Sequence, residues 1–224
     1  IIIGDDFSDD ETLDVLVNYL KGIIVHNIDI FVYKGSKNLG CGLRRNCLIE
    51  KSNYNFISIA DGDDFASKDR LQEQYAILNS DSNIFALSGS CNVISHYGEN
   101  MGKIDRSRMS SEEIMKSLLL SYENPISDPC VSYRKEIFMD IGGYSSDPFV
   151  KLIPDLDLWM RFYELKNSGI IKEYKIEVFE NTWVNYRKNI NGNTIKFSRE
   201  MMKAHGMRRQ LFNKKMSGKL NTKS

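Results

Sequence analysis

The sequence has little cysteine and no excess of charge of either sign, and both absences exclude classes of protein. Its four cysteines include no C-x-x-C pair, which argues against a zinc ribbon or a thiol redox motif and fits reduced thiols in a cytosolic compartment. Lysine and arginine together number 30, as do aspartate and glutamate, so no global basic field attracts nucleic acid. We therefore expect a cytoplasmic protein that does not bind nucleic acid.

Long apolar runs, internal repeats and a signal-peptide pattern are also missing from the sequence. A membrane-spanning helix needs about 20 consecutive apolar residues, and no such run occurs. A chain of 224 residues is long enough to bury a substantial core. We predict one main domain over 1–190, made of a first half (1–95) and a second half (96–190), followed by a basic helical extension over 191–224.

Basic residues dominate this extension, where Glu200 is the only acid after position 190. A solvated helical end is the simpler interpretation, and a peripheral contact with anionic lipid at the inner face of a membrane is the alternative. The basic residues concerned are Lys196, Arg199, Lys203, Arg208, Arg209, Lys214, Lys215, Lys219 and Lys223.

An apolar, β-branched run at 56–60 that ends in acids is the most informative stretch. Three carboxylates follow it directly: Asp61, Asp63 and Asp64. Two carboxylates about 4 Å apart repel by roughly 4 kcal/mol at an effective dielectric constant near 20, so we expect a hard divalent cation, Mg²⁺ or Mn²⁺, among them. An acidic turn that caps the helix beginning near Lys68 is the alternative.

Strands alternate with helices through the first 95 residues, which predicts an α/β fold with a mostly parallel sheet between two helical layers. The first strand, 1–3, also ends in acids, Asp5 and Asp6. The other predicted strands are 28–33, 56–60, 84–94, 130–133, 175–179 and 182–186. The predicted helices are 11–21, 68–78, 112–120, 135–141 and 155–166, together with one that follows a glycine-bearing loop at 38–46 and lasts to about 51. The polar segment 96–108 is predicted to be a surface excursion.

Five segments, in this order over about residues 1–190, resemble family 2 glycosyltransferases with the GT-A fold. They are I-I-I-G-D-D-F-S-D-D-E-T, N-L-G-C-G-L-R-R-N, I-S-I-A-D-G-D-D, R-K-E-I-F-M-D-I-G-G-Y and P-D-L-D-L-W-M-R-F. The resemblance implies a three-layer α/β/α sandwich whose first strand is missing before Ile1, with a nucleotide-sugar-binding half over 1–95 and an acceptor-binding half over 96–190. It also implies a hexosyltransferase that moves a sugar from a nucleotide diphosphate, expected to be a UDP-sugar, with inversion at the anomeric carbon.

The same resemblance assigns the donor side residue by residue. Asp5 and Asp6 match the acids that hold the base of the nucleotide sugar, and Arg45 matches an arginine that lies beside the nucleotide. Asp61 and Asp63 match the D-x-D pair, in which the first acid approaches the ribose and the second binds Mg²⁺ or Mn²⁺. The alternatives without a binding role are a solvated acidic loop for Asp5 and Asp6, and an ion-pairing arginine on a helix surface for Arg45.

The resemblance places the acceptor, a saccharide or a glycolipid, next to Asp155. This residue matches the general base that deprotonates the acceptor hydroxyl, although a carboxylate in the first turn of a helix is also favoured by the helix dipole alone. Asp157 is the rival for the base. Tyr144 and Trp159 are weaker candidates for the acceptor side, and Trp159 is also a natural core residue.

Three positions depart from the family pattern. Phe7 stands where the family commonly has glycine, Pro154 where it has glutamate before the base, and Asn189 where it has histidine. Two other functions therefore stay open at this point. One is a nucleotidyltransferase of similar architecture, although no glycine-rich, lysine-bearing phosphate loop is visible; the other is a catalytically silent module that binds a nucleotide sugar.

Overall fold

The computed structural model describes residues 1–23, 27–121, 124–189, 192 and 196–217, and every structural statement concerns these residues. The strands are β1 Ile2–Asp5, β2 Phe31–Lys34, β3 Phe56–Ser58, β4 Phe65–Ala66, β5 Ile84–Ile94, β6 Asn100–Ile104, β7 Ser132–Arg134 and β8 Lys175–Arg187. The α-helices are α1 Thr12–Gly22, α2 Cys41–Glu50, α3 Arg70–Ser80, α4 Ser111–Leu120, α5 Lys135–Asp140, α6 Pro154–Ser168 and α7 Ser198–Ser217. Two 3₁₀ helices span Asp128–Cys130 and Pro148–Val150.

The strands form a mixed arrangement rather than the mostly parallel sheet predicted. β1 and β2 pair in parallel as a separate two-stranded sheet. The larger sheet has the order β3-β7-β5-β8-β4, with β6 paired to β5, and only the β5–β8 pair in it is parallel. The α/β class is as expected. The direction differs because β7 runs against β5, with Ser132 opposite Leu87 and Tyr133 opposite Ala86.

Two details of the second half also differ from the prediction. The polar segment 96–108 contains β6, which forms an antiparallel hairpin with the second half of β5 and belongs to the larger sheet. The two short strands predicted at 175–179 and 182–186 are one long strand, β8, whose pairing with β5 shifts register between Ser88 and Cys91. Such irregularities bend a strand while it stays continuous.

The core lies between the larger sheet and α6, and aromatic side chains fill it. Phe85 of β5 stacks on Phe162 of α6 at 5.2 Å between ring centroids, and Tyr133 of β7 stacks on Phe138 of α5 at 4.8 Å. Stacked rings stabilise the fold beyond what the burial of their apolar surface contributes. The core therefore fixes α6, whose first turn carries Asp155, against the sheet.

Helix α7, within the predicted extension, packs into this same core. Ala204, Phe212 and Met216 are buried members of the main apolar cluster. The boundary predicted at residue 190 therefore does not separate two cores. The basic positions 219 and 223 lie outside the described residues. Among the helices that the structure describes, none is long and apolar enough to cross a membrane.

Candidate active site

Arg45 lies between carboxylates that come from separate parts of the chain. Its Nη2 donates to Oδ1 of Asp61 at 2.5 Å, and its Nη1 donates to Oδ2 of Asp128 at 2.6 Å. The Arg45 side chain is 11% exposed, so little water competes for these bonds. Arg45 and Asp61, both predicted from the sequence, are thus in contact, and Asp128 joins them.

Antiparallel pairing explains why Asp128 reaches this site. β3 ends at Ser58, which pairs with Ser132 at the start of β7. Residues that follow β3 therefore lie beside residues that precede β7, and this brings Asp61 to Asp128. The sequence prediction missed Asp128 because it assumed parallel strands and searched only for acids that follow a strand. An acid directly before a predicted strand, as in Asp128-Pro129 before 130–133, is the signal that could have found it.

Buried charge shifts the ionisation of this cluster. Burial raises the pKa of Asp128 to about 6, and the nearby carboxylates of Asp155 and Asp61 act in the same direction against Arg45, which lowers it. Burial also raises the pKa of the Cys41 thiol to about 11. The cluster holds more acids than cations, so it favours a bound cationic group or a proton.

Asp155 lies at the second position of α6, on the side facing this cluster. Asn124 donates from Nδ2 to Oδ2 of Asp155 at 2.9 Å. Burial raises the pKa of Asp155, while the backbone N–H of Leu156, the Arg45 charge and the Asn124 amide act to lower it. A carboxylate held in this way is suited to accept a proton near neutral pH.

A glycine allows α2 to come close to the start of α6. A Cβ at Gly42 would lie 2.9 Å from Cβ of Pro154 and 3.1 Å from Cβ of Tyr144, so a side chain there would force the helices apart. Pro154 occupies the first position of α6, where its missing N–H costs no hydrogen bond. The departure from the family pattern at position 154 is thus compatible with the helix that carries Asp155.

Asp157, the rival base, is engaged elsewhere. Its Oδ1 accepts from Nε of Arg208 in α7 at 2.6 Å, and its Oδ2 accepts from Nε of Arg161 at 2.8 Å. The Asp157 side chain is 5% exposed. Both oxygens accept from arginines, of which Arg208 is buried, so this carboxylate holds α7 on α6.

Asp5 and Asp6 have partners within the fold. Asp6 accepts from the backbone N–H groups of Leu39 and Gly40 at 2.9 and 2.7 Å and from Nε of Arg44 at 3.0 Å. Asp5 accepts from Ser8, and these hydrogen bonds lower the pKa of Asp5. Both acids order the loops beside β1, and their contact with a nucleotide base stays a prediction.

Phe7 adopts a backbone conformation that favours glycine. Its φ is 67°, in the left-handed region that bulky side chains seldom enter. The loop after the paired acids therefore keeps the conformation that a glycine would adopt without strain. This explains in physical terms why glycine is common at this position in the family that the sequence resembles.

Asp63 and Asp64 are held by the end of β8. The backbone N–H of Arg187 donates to Oδ1 of Asp64 at 2.8 Å, and Nε of Arg187 donates to the carbonyl oxygen of Asp63 at 3.0 Å. Burial raises the pKa of Asp64 to about 6. The Asp63 residue itself is exposed, and among residues 1–23, 27–121, 124–189, 192 and 196–217 no side chain is seen to bond its carboxylate in competition with a ligand.

The residues present fit a metal ion that the substrate also coordinates. In the part of the chain that the structure describes, no three Asp, Glu, His or Cys side chains are grouped to hold a metal by themselves. Mg²⁺ is usually bound by one or two carboxylates together with substrate phosphates. Exposed Asp63 and half-exposed Asp61 offer the hard oxygen ligands that such an ion needs.

Tyr144 and Trp159 lie inside the core, with 1% and 0% of their surface exposed. Neither side chain can touch an acceptor in this structure, which corrects the expectation that they line the acceptor side. Tyr144 lies under Arg45, whose guanidinium carbon is 5.8 Å from the ring centroid. The Tyr144 ring thus supports the Arg45 guanidinium from the side of the core.

Comparison with known proteins shows several that are similar. The family model described as Glycosyl transferase family 2 matches residues 1–142. AmsE of Erwinia amylovora, an amylovoran biosynthesis glycosyltransferase, is 27% identical over 129 residues, which cover 58% of this chain and 46% of AmsE. TuaG of Bacillus subtilis, whose name connects it with teichuronic acid biosynthesis, is 33% identical over 207 residues, which cover 84% of this chain and 75% of TuaG.

Solved structures of S. aureus TarS share the fold. TarS 1-349 in complex with UDP-GlcNAc superposes with a TM-score of 0.63 at 17% identity, covering 98% of this chain and 62% of that one. The complex with UDP gives a TM-score of 0.58 at 17% identity, covering 98% and 61%. This similarity confirms the predicted α/β class. The chain spans less than two thirds of TarS 1-349 and 46% of AmsE.

Proposed function

The chain belongs to glycosyl transferase family 2, and we propose that it transfers a sugar from a nucleotide-diphosphate donor to an acceptor hydroxyl. The observation that carries the proposal is the position of Arg45 between Asp61 and Asp128, next to Asp155. This arrangement combines a cation for donor phosphates with a carboxylate for proton transfer. The donor is a UDP-sugar, a choice supported by the TarS complexes with UDP and UDP-GlcNAc.

The reaction needs a base because a sugar hydroxyl is a weak nucleophile. Asp155 takes the hydroxyl proton as the oxygen attacks the anomeric carbon, and a positioned carboxylate contributes typically 10²–10⁴-fold to the rate. A single base on the face opposite the leaving group leads to direct displacement, with inversion. Asp5 and Asp6 face the base of the donor and Asp61 its ribose.

The leaving nucleoside diphosphate gains negative charge. A metal ion bound near Asp63 would stabilise this charge. Asp63 and Asp61 would hold Mn²⁺ or Mg²⁺ there. When bound, such an ion supplies Lewis-acid stabilisation of the departing phosphate oxygens. Arg187, which fixes the Asp63 backbone and the Asp64 carboxylate, keeps this acidic turn in place.

The acceptor is a saccharide or a glycolipid in polysaccharide synthesis, and the names of AmsE and TuaG support this class. A peripheral contact of α7 with anionic lipid would bring the protein to the membrane surface, where a lipid-linked acceptor lies. Lys203, Met207, Leu211 and Lys214 are exposed along α7, at spacings that put basic and apolar side chains on one face. Co-sedimentation with phosphatidylglycerol vesicles, and with neutral vesicles as the control, tests this contact.

Thermal unfolding with ligands tests the central proposal. We expect UDP with Mn²⁺ to stabilise the protein, by about 2.7 kcal/mol at a hundredfold excess over Kd, and AMP with Mn²⁺ to have little effect. Release of UDP from UDP-GlcNAc and other UDP-sugars, with and without a glycolipid fraction, separates a transferase from a silent binding module. Absence of any stabilisation by nucleoside diphosphates would contradict the proposal.

A further inference from the structure

Asn124 makes three directed contacts beside the proposed base. Its Nδ2 donates to Oδ2 of Asp155 at 2.9 Å, and its Oδ1 accepts from the backbone N–H of Ile126 at 3.1 Å. Its carbonyl oxygen accepts from Nη2 of Arg106 at 3.1 Å. Because Oδ1 is occupied by an N–H donor, the amide cannot flip without losing two hydrogen bonds. The NH₂ end therefore stays directed at Asp155.

Arg106 anchors this segment to the sheet. Its backbone N–H donates to Oγ of Ser90 in β5 at 2.8 Å, and its Nε donates to Oγ of Ser127 at 3.2 Å. In the described part of the chain Arg106 forms no ion pair with a carboxylate. The Arg106 guanidinium thus joins the end of the β5–β6 hairpin to residues 124–127. The orientation of Asn124 depends on this link.

We propose that Asn124 is a positioning residue that keeps Asp155 ionised and correctly oriented for proton transfer, and that Arg106 holds Asn124 in place. The donated N–H occupies one oxygen of Asp155 and leaves the other for the acceptor hydroxyl. This inference rests on the proposed function, because it takes Asp155 as the base. It adds two residues that form no part of the segments from which the family resemblance was drawn.

The charges around Asp155 make such a donor necessary. The charged and titratable groups that face it are Arg45 and Cys41 of α2 and Asp128 of the 3₁₀ helix before β7. Burial and the Asp128 carboxylate favour the protonated form of Asp155. Arg45 and Asn124 oppose them with side-chain interactions, and Arg45 is already bonded to Asp61 and Asp128. Within the described part of the chain, the Asn124 amide is the side chain seen to donate directly to Asp155.

Titration of the Asp155 carboxyl by ¹³C NMR, with aspartate-labelled protein and Asp155→Asn for assignment, tests the proposal without any substrate. We expect the midpoint to rise by about one pH unit in Asn124→Ala, since a hydrogen bond to a charged group is worth about 1.5–3 kcal/mol. Asn124→Asp should raise it further, because it removes the donor and adds a negative charge. This variant keeps an oxygen for the Ile126 N–H, so the loop should fold.

Arg106→Lys tests the second part, since it keeps the charge but cannot bridge Ser127 and the Asn124 carbonyl together. We expect a smaller rise of the same midpoint. Asn92→Asp is the matched control: Asn92 donates to Oδ1 of Asn185 at 2.9 Å on the exposed hairpin, and this substitution should leave the Asp155 midpoint unchanged. An unchanged midpoint in both Asn124 variants would overturn the proposal, and an unchanged midpoint in Arg106→Lys would overturn the role of Arg106.

The pH profile of UDP release from the UDP-sugar that the parent protein turns over gives the functional readout. The acidic limb of this profile should move to higher pH in Asn124→Ala, with little change in Kd for UDP. If the parent releases no UDP from any UDP-sugar, the proposed function fails while the NMR titration still decides whether Asn124 controls Asp155. If release occurs but the limb does not move with the NMR midpoint, Asn124 does not act through Asp155 in the reaction.

Discussion

Nε of Arg208 donates a hydrogen bond to Oδ1 of Asp157 at 2.6 Å, across 51 positions of the chain. Arg161 occupies the other oxygen of Asp157. Asp155, two positions earlier in the same helix, instead meets the neutral amide of Asn124. Two nearby carboxylates of α6 therefore have different surroundings, since Asp157 lies between two arginines and Asp155 meets a neutral amide. The proposed function gives only Asp155 a role in proton transfer.

Substitution of these two acids should separate catalysis from stability. Asp155→Asn should lower UDP release in the presence of acceptor by about 10²-fold or more and leave Kd for UDP nearly unchanged, because the proposed function places Asp155 beside the acceptor and not the nucleotide. Asp157→Asn should mainly lower the melting temperature, because it removes the buried negative charge that pairs with both Arg161 and Arg208. If the two variants exchange these effects, Asp157 is the base.

Removal of Arg208 should destabilise the whole domain. Arg208→Leu leaves Asp157 with one partner in a buried place, and breaking a buried pair costs about 3–5 kcal/mol. Urea unfolding followed by circular dichroism measures this loss. Lys214→Leu, on the exposed face of α7, is the control and should change stability by less than about 0.5 kcal/mol. An equal loss of stability in Arg208→Leu and Lys214→Leu would mean that the ion pair between Arg208 and Asp157 does not stabilise the domain.

Activity should depend on pH through Asp155. The base must be ionised to accept a proton, and burial raises the pKa of Asp155. UDP release should therefore fall as the pH is lowered through a value above about 4, where an unperturbed aspartate titrates. A pH profile of kcat at saturating donor measures this limb. The residual activity of Asp155→Asn should lack the limb; if the variant keeps it, another group such as Asp128 is responsible.

Asp63→Asn should abolish the part of UDP binding that depends on Mn²⁺. The exposed Asp63 side chain makes no contact that the fold needs, so the melting temperature without ligand should stay the same. Isothermal titration with UDP, with Mn²⁺ and with EDTA, measures the difference. Asp69→Asn, an exposed acid just before α3, is the control. Equal Mn²⁺-dependent affinity in Asp63→Asn and the parent would show that the metal site lies elsewhere.

Phe7→Gly should raise the free energy of unfolding by up to about 1 kcal/mol. A left-handed conformation costs an L-residue roughly 1–2 kcal/mol, and glycine avoids this cost although it loses more backbone entropy on folding. Urea unfolding measures the change. Phe7→Ala keeps the Cβ and hence the strain, so it should not stabilise. A destabilised Phe7→Gly variant would indicate that the half-exposed ring makes contacts worth more than the strain.

The sequence predicted those parts of the fold that local pattern determines. The helices α1, α3, α4 and α6 lie within about two residues of their predicted bounds, and the acids at 61–64 follow a strand as their place after an apolar run predicts. Asp61 and Arg45 were predicted separately from the same family resemblance, and the structure brings them into contact.

The rest depended on strand direction, which local pattern does not reveal. Nothing around Ser132 shows whether β7 runs with or against β3, and this direction alone brings Asp128 to Arg45. Asn124 was not among the predicted site residues, because its contact with Asp155 joins positions 31 apart in the chain. The sequence favoured a core position for Trp159, but it did not show the burial of Tyr144, since an aromatic residue beside a predicted site has the same sequence whether it faces inward or outward.

The docking of α7 on α6 also sets the order of events during synthesis. Asp157 leaves the ribosome 51 residues before Arg208, and at about 5–20 residues per second this interval lasts several seconds. Throughout it, the α6 surface that Phe212 and Met216 will cover stays open, and Asp157 lacks one of its two cations. The core cannot close while the nascent chain ends before position 208. Slow codons between positions 157 and 208 would therefore lengthen the time for which chaperones can reach this apolar surface.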